Sequence, residues 1–247
     1  MKAVVSDDWL RYITITLMIA GRRAGWLRSP EYRETAMREL LQKVLDWLAE
    51  PRESEPLPIE PDIPGVSPPR HWISLEQFRR ASGLPAVRAQ DWHPHLLSAC
   101  VEFEIVGPVR IAAFLAQVGH ESGGFVHTRE IWGPTPAQQR YEGRADLGNT
   151  NIGDGSRFRG RGLIQITGRH NYTAVARGLA IDCVNQPELL EQPRNAARSA
   201  AWWWANNGCN EIADTGDFTR LTRRINGGIN GLDDRLQRWE AAKGALA

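Results

Sequence analysis

GPVRIAAFLAQVGHESGGF, residues 107–125, decides how this chain is read. IAAFLAQV, residues 111–118, is an apolar run suited to a buried helix, and the helix ends on a carboxylate, Glu121. Gly123-Gly124 then breaks it and lets the backbone turn back with no side chain in the way. A surface helix can end so for no chemical reason. A site that must hold one carboxylic acid against a substrate can end so too.

Outward from this stretch, further apolar helices follow. ISLEQFRRASG carries Ser74 as a cap, Gln77 three residues on and a glycine stop. HPHLLSACVEFEI, PRNAARSAAWWWANNG, DFTRLTRRING and NGLDDRLQRWEAAKGAL complete a mostly helical domain. Residues 131–169 lack helical periodicity and are rich in Gly, Arg, Asn and Asp, so they read as a long irregular segment with room for short strands. Within it GRGLIQIT reads as a glycine turn into a strand, whose two-residue period puts Gln165 and Thr167 on one face.

Seven prolines in residues 51–70 exclude helix and central strand and make this an extended linker. It separates an N-terminal module, 1–50, from a larger domain, 71–247. In the module, residues 29–50 form an amphipathic helix with Ser29 as cap and Pro30 in its first turn, and residues 7–20 a second helix packed on it. The module reads as a solubilising or dimerising appendage, or as a weak membrane or cell-wall contact.

The 247 residues carry a formal net charge of +1, which gives no case for nucleic-acid binding. Three cysteines, Cys100, Cys183 and Cys209, are too few and too odd for a disulfide framework. The apolar run at 12–20 is nine residues, too short to span a bilayer, and its acidic approach is unlike an export signal. His120-Glu121 opens a zinc-protease pattern, but Gly124 stands where its second histidine belongs, so no metal is expected and His120 reads as a hydrogen-bonding residue beside the acid.

Glu121 and Glu130 bracket eight residues and can face each other across a groove. Glycosidases use such a pair, one carboxylic acid protonating the leaving oxygen and one carboxylate acting on water or on the sugar. The spacing alone permits either geometry.

GHESGGF, YEGRADLGN, FRGRGLIQITGRHNY and the INGG and DDR motifs, in this order, resemble family 19 glycoside hydrolases, most closely their phage-endolysin and bacterial chitinase-like branch, over roughly residues 72–244. The resemblance implies a mainly α, lysozyme-like fold: two helical lobes with a small β-hairpin region lining the cleft between them. It implies Glu121 as general acid, Glu130 as the base that activates water, and Thr167 as the hydroxyl that holds that water. It implies substrate-contacting or site-supporting roles for Gln165, Asn171 and Tyr172, and places Asn226 and Arg235 in the groove; His120 joins them as a substrate-binding candidate. The family inverts configuration, which needs carboxylates roughly 6.5–9.5 Å apart. The chain departs from the plant members in its short segment between the acids, its missing cysteine framework and Asn230 where an acid is typical. Fewer loops mean a more open groove, which favours peptidoglycan over chitin.

The expectation is thus a monomeric, cofactor-free endolysin that hydrolyses β-1,4 bonds of peptidoglycan glycan strands and lyses the host cell, held in the bacterial cytoplasm until a holin releases it to the wall. A chitinase acting on N-acetylglucosamine polymers is the alternative. A silent glycan-binding protein is disfavoured because both acids are present.

Overall fold

In a computed structural model of the chain the described residues are 73–247; the helices expected at 7–20 and 29–50 and the proline-rich segment lie outside them. Helix α1, Leu75–Ser82, starts where the sequence places its cap. Ser74 Oγ accepts from the Gln77 N–H at 3.2 Å, Gln77 Oε1 accepts from the Ser74 N–H at 3.0 Å, and Gly83 ends the helix in the left-handed region. Helix α2, Ala86–Glu102, begins seven residues before the expected His93 and runs through Pro94. Pro94 removes one interior hydrogen bond; burial of Ala89, Trp92, His93, Leu96 and Leu97 outweighs that loss.

Helix α3, Pro108–Glu121, is the central element, with Gly107 before it and Pro108 in its first turn. Ile111 to Gly119 are all buried. Past the short α4, Pro136–Gln139, and α5, Asp154–Arg157, come α6, Arg169–Leu179, and α7, Pro193–Asn206. Helices α8, Cys209–Asp214, α9, Phe218–Asn226, and α10, Leu232–Leu246, follow. Helix α10 packs along α3 and α1, α8 on α3, and α2 and α6 on α7.

The apolar side chains form two clusters. The larger joins α1, α2, α3, α7, α8, α9 and α10 around Phe114 and Trp204, whose rings meet edge to face at 5.3 Å. The smaller holds Phe158, Ile166, Tyr172, Val175, Leu179, Cys183 and Leu190. Phe103, Ile164 and Trp203 pack against both.

The expected β-hairpin is reduced to two isolated bridges among the described residues, Arg129 with Arg161 and Arg161 with Ile166. GRGLIQIT is not a strand: Gly162–Gln165 form a turn closed by Arg161 N–H to Ile166 O at 3.1 Å and Ile166 N–H to Arg161 O at 2.7 Å. Gln165 sits at φ 56°, so the two-residue alternation is lost there. Gly162, at φ 76°, starts a tight turn packed against α7, where a side chain on it would strike Ser199 Oγ at 2.8 Å. The three cysteines are free and buried. Among the described residues no helix is long and apolar enough to cross a membrane.

Candidate active site

The helix that carries Glu121 ends by a glycine device. Gly123, at φ 61°, donates to His120 O at 3.1 Å, and Gly124 donates to Gly119 O at 2.7 Å, the paired bonds that close a helix on a left-handed residue. Ser122 Oγ donates to Val118 O at 2.7 Å and accepts from the Phe125 N–H at 2.8 Å. Phe125, itself at φ 60°, is buried against Trp92 and pins the turn. Glu121 is therefore held at the very end of a rigid element.

Its carboxylate is met from α10. Arg235 Nη2 donates to Glu121 Oε1 at 2.5 Å, Nη1 to Gln117 Oε1 at 2.5 Å, and Nε to Asn230 O at 3.1 Å. Gln117 in turn donates to Thr222 Oγ1 at 2.8 Å. Arg235 is 1% exposed, while the Glu121 side chain keeps 25%. Arg235 is thus a positioning residue behind the acid and not, as the resemblance implied, a residue of the groove surface. One residue earlier on α3, His120 Nδ1 stands 2.6 Å from Asp234 Oδ2, which also accepts from Arg238 Nε at 2.8 Å. Burial works against the Asp234 carboxylate, but the hydrogen bonds from Arg238 and His120 hold its carboxyl below the ordinary range.

Glu130 belongs to a second group. Its backbone N–H donates to Gly160 O at 2.8 Å, and the Gly160 N–H donates back to Glu130 Oε2 at 3.0 Å. Oε1 accepts from Gln138 Nε2 at 3.0 Å and, more loosely, from the Tyr141 hydroxyl at 3.4 Å. Burial, with the nearby Glu130 charge, pushes the Tyr141 phenol up, so it stays a donor. Every hydrogen bond described on this carboxylate comes from a neutral group.

Thr167 joins Glu130 through Gly160. A side chain built on Gly160 would stand 3.3 Å from Thr167 Oγ1 and 2.7 Å from Gln165 Oε1. Thr167 Oγ1 donates to Gln165 O at 2.8 Å, which leaves its lone pairs free to accept. Asn171, exposed on the first turn of α6, donates to Thr167 O at 2.8 Å. Gln165 Nε2 donates to Gly162 O at 3.0 Å. Asn226 ends α9 with its Oδ1 buried and without a hydrogen-bond partner.

Of the two roles the resemblance offers Tyr172, substrate contact falls and site support stands. Tyr172 is 0% exposed and cannot touch a substrate. Its hydroxyl donates to Arg159 O at 2.7 Å and accepts from Arg161 Nη1 at 2.9 Å, so it braces the turn from behind. The predicted residues therefore fall into two groups, Glu121 with His120 and Arg235 on α3 and α10, and Glu130 with Gln165, Thr167 and Asn171 around Gly160. An open groove of about 580 Å³ borders Glu130 and is lined also by Trp132, Arg129, Arg159 and Glu191.

Gln138, Tyr141, Gly160 and Asp234 escaped the sequence reading. Thr135-Pro-Ala-Gln138 is a legible capping box with proline at its first turn, and both of its reciprocal bonds form. A four-residue helix is too short to show periodicity, which is why residues 131–169 read as irregular.

The sequence model of the family described as chitinase class I matches residues 106–214. A glycosyl hydrolase family 19 domain-containing protein of Haemophilus influenzae is 34% identical over 163 residues, covering 55% of this chain and 80% of its own length. An endochitinase of Arabidopsis thaliana is 36% identical over 118 residues, 48% of this chain but 39% of the plant protein, so the match spans about two-fifths of that relative. Among solved structures, chitinase C of Streptomyces griseus superposes with a TM-score of 0.55 at 27% identity, over 70% of this chain and 91% of that one.

Proposed function

Because this chain belongs to glycoside hydrolase family 19 and is a glycoside hydrolase, we propose that it cleaves the β-1,4 bonds of bacterial peptidoglycan in a single inverting step. Glu121 protonates the leaving oxygen, Glu130 takes a proton from water, and the Thr167 hydroxyl holds that water.

The observation that carries this reading is the position of Gly160 between Glu130 and Thr167. Its N–H holds Glu130 Oε2, and the space over its Cα borders Thr167 Oγ1. A base and a water-binding hydroxyl thus both pack on one buried glycine, whose missing side chain leaves room for Gln165. A nucleophilic carboxylate would have no use for the hydroxyl. The compact connection from Ser122 to Arg129, closed by the glycine turn and carrying no added loop, suits a thick cross-linked polymer. Chitin is the second reading, favoured by the endochitinase and chitinase names of the relatives.

The cellular role that follows is that of an endolysin, acting on the wall from inside after a holin opens the membrane, with no nucleic-acid partner. Cells that make the protein together with a holin are expected to lyse, and cells that make it alone to survive.

The chemical test is product analysis. Purified peptidoglycan and chitin oligosaccharides are digested in parallel. Mass spectrometry identifies the new reducing-end sugar, and early proton NMR the first anomer. The α-anomer is expected from peptidoglycan. A β-anomer forming first refutes the inverting step and the role of Thr167; release from chitin alone moves the substrate to the second reading.

A further inference from the structure

The groove beside Glu130 is lined by two arginines, and they are not equivalent. Arg129 Nη1 lies 3.6 Å from Glu191 Oε2, and the other oxygen of Glu191 accepts from the buried Arg161 Nε at 2.7 Å, so that carboxylate is already shared between two cations. Arg159 has no such match. Its guanidinium carbon stands 5.5 Å from the centre of the Trp132 ring, and its Nε is buried without a hydrogen-bond partner. Among the described residues no carboxylate pairs with it. Nor does it hold Glu130, whose described hydrogen bonds come from Gln138, Tyr141 and the Gly160 N–H.

An arginine stacked on an indole keeps its plane while spending none of its N–H groups. The guanidinium is then held at the groove with N–H groups suited to a carboxylate. Trp132 is itself flanked by Tyr141, with ring centres 6.1 Å apart. Groups so prepared and left unmatched inside a substrate groove mark where the ligand supplies the missing charge.

We propose that Arg159, stacked on Trp132, recognises a carboxylate carried by the substrate glycan. This rests on the peptidoglycan reading, since an N-acetylglucosamine polymer is neutral. In peptidoglycan the stem peptide carries the group; the lactyl arm of the muramic sugar is amide-linked to the stem and bears a free carboxylate only where the stem has been removed. Arg159 would thus be a specificity-determining residue that separates acidic from neutral glycans, acting on binding rather than on bond cleavage.

The test uses the full chain and three forms of one polymer: intact peptidoglycan, peptidoglycan stripped of stems by an amidase, and peptidoglycan whose carboxyls are capped as methylamides. Arg159→Gln is expected to raise KM about tenfold on carboxylate-bearing polymer with kcat little changed, the loss typical of one charge-assisted contact. On capped polymer the variant and the unmodified protein are expected to match. Loss on stripped polymer alone assigns the lactyl carboxylate that the amidase frees, loss on intact polymer alone assigns the stem, and loss on both shows that either carboxylate is accepted. Equal loss on all three forms, or loss on none, overturns the proposal and leaves the peptidoglycan reading standing. An unmodified protein that cuts chitin but no form of peptidoglycan refutes that reading and this one together. Should Arg159→Gln fail to fold, salt dependence decides: KM of the unmodified protein is expected to rise with ionic strength on intact but not on capped polymer, and equal slopes overturn the proposal.

Discussion

Gln138 decides where Glu130 points. Its Oε1 accepts from the N–H groups of Gly133 and Thr135, at 3.1 and 2.7 Å, and its Nε2 donates to Glu130 Oε1 and Ile131 O, at 3.0 and 2.8 Å. A flipped amide would set N–H against N–H twice, so the donor end must face the carboxylate. Gln138→Leu removes that donor and leaves Gly160 and Tyr141. The expected outcome is a fall in kcat of about 10- to 100-fold with KM little changed, the scale of loss for a misaimed catalytic group. Glu121→Gln sets the floor, with a loss of at least about 10²–10⁴ when the proton donor itself is gone. A kcat for Gln138→Leu near that of the unmodified protein would remove the positioning role. The capping box around Gln138 was legible in the sequence, because its partners lie within three residues. That the same side chain meets Glu130 was not, since no local pattern encodes it.

At the scale of the element, α10 serves α3. Gly231 precedes α10 at φ 69°, and the helix then presents Asp234 to His120 and Arg235 to Glu121. A side chain at 231 would stand 2.2 Å from His120 Cε1. Gly231→Ala combines a left-handed backbone that alanine disfavours with displacement of His120 from Asp234. Together these are expected to cost roughly 1–3 kcal/mol of stability and to lower activity with it. Denaturant unfolding and a turnover assay check this, and unchanged values in both would show that the two helices adjust freely. The sequence marked where α10 starts, and the DDR motif marked Arg235. It could not show that Arg235 lies buried behind the acid, because burial depends on how α3, α9 and α10 pack.

Across the whole domain, the three thiols report on the fold. Cys100, Cys183 and Cys209 are buried, and burial drives all three thiols up, Cys183 to about 11 and Cys209 to about 12. All lie beyond the linker, so a chain of residues 71–247 is expected to keep its thiols silent to a disulfide reagent, to expose three on unfolding, and to degrade purified peptidoglycan. Reactive thiols in the native shortened chain would show that the domain needs the preceding residues. What the sequence by itself determined was local. Helix starts at Ser74, Pro108 and Asp217, the glycine stop after Glu121 and the order of the motifs all follow from neighbours a few residues apart. Tertiary structure alone decided that Tyr172 and Arg235 are buried braces, that the GRGLIQIT segment closes as a turn instead of a strand, and that Arg159 stands stacked and unmatched. Those outcomes depend on partners far along the chain, such as Glu121 and Arg235 at a separation of 114 residues, and only packing brings such groups together.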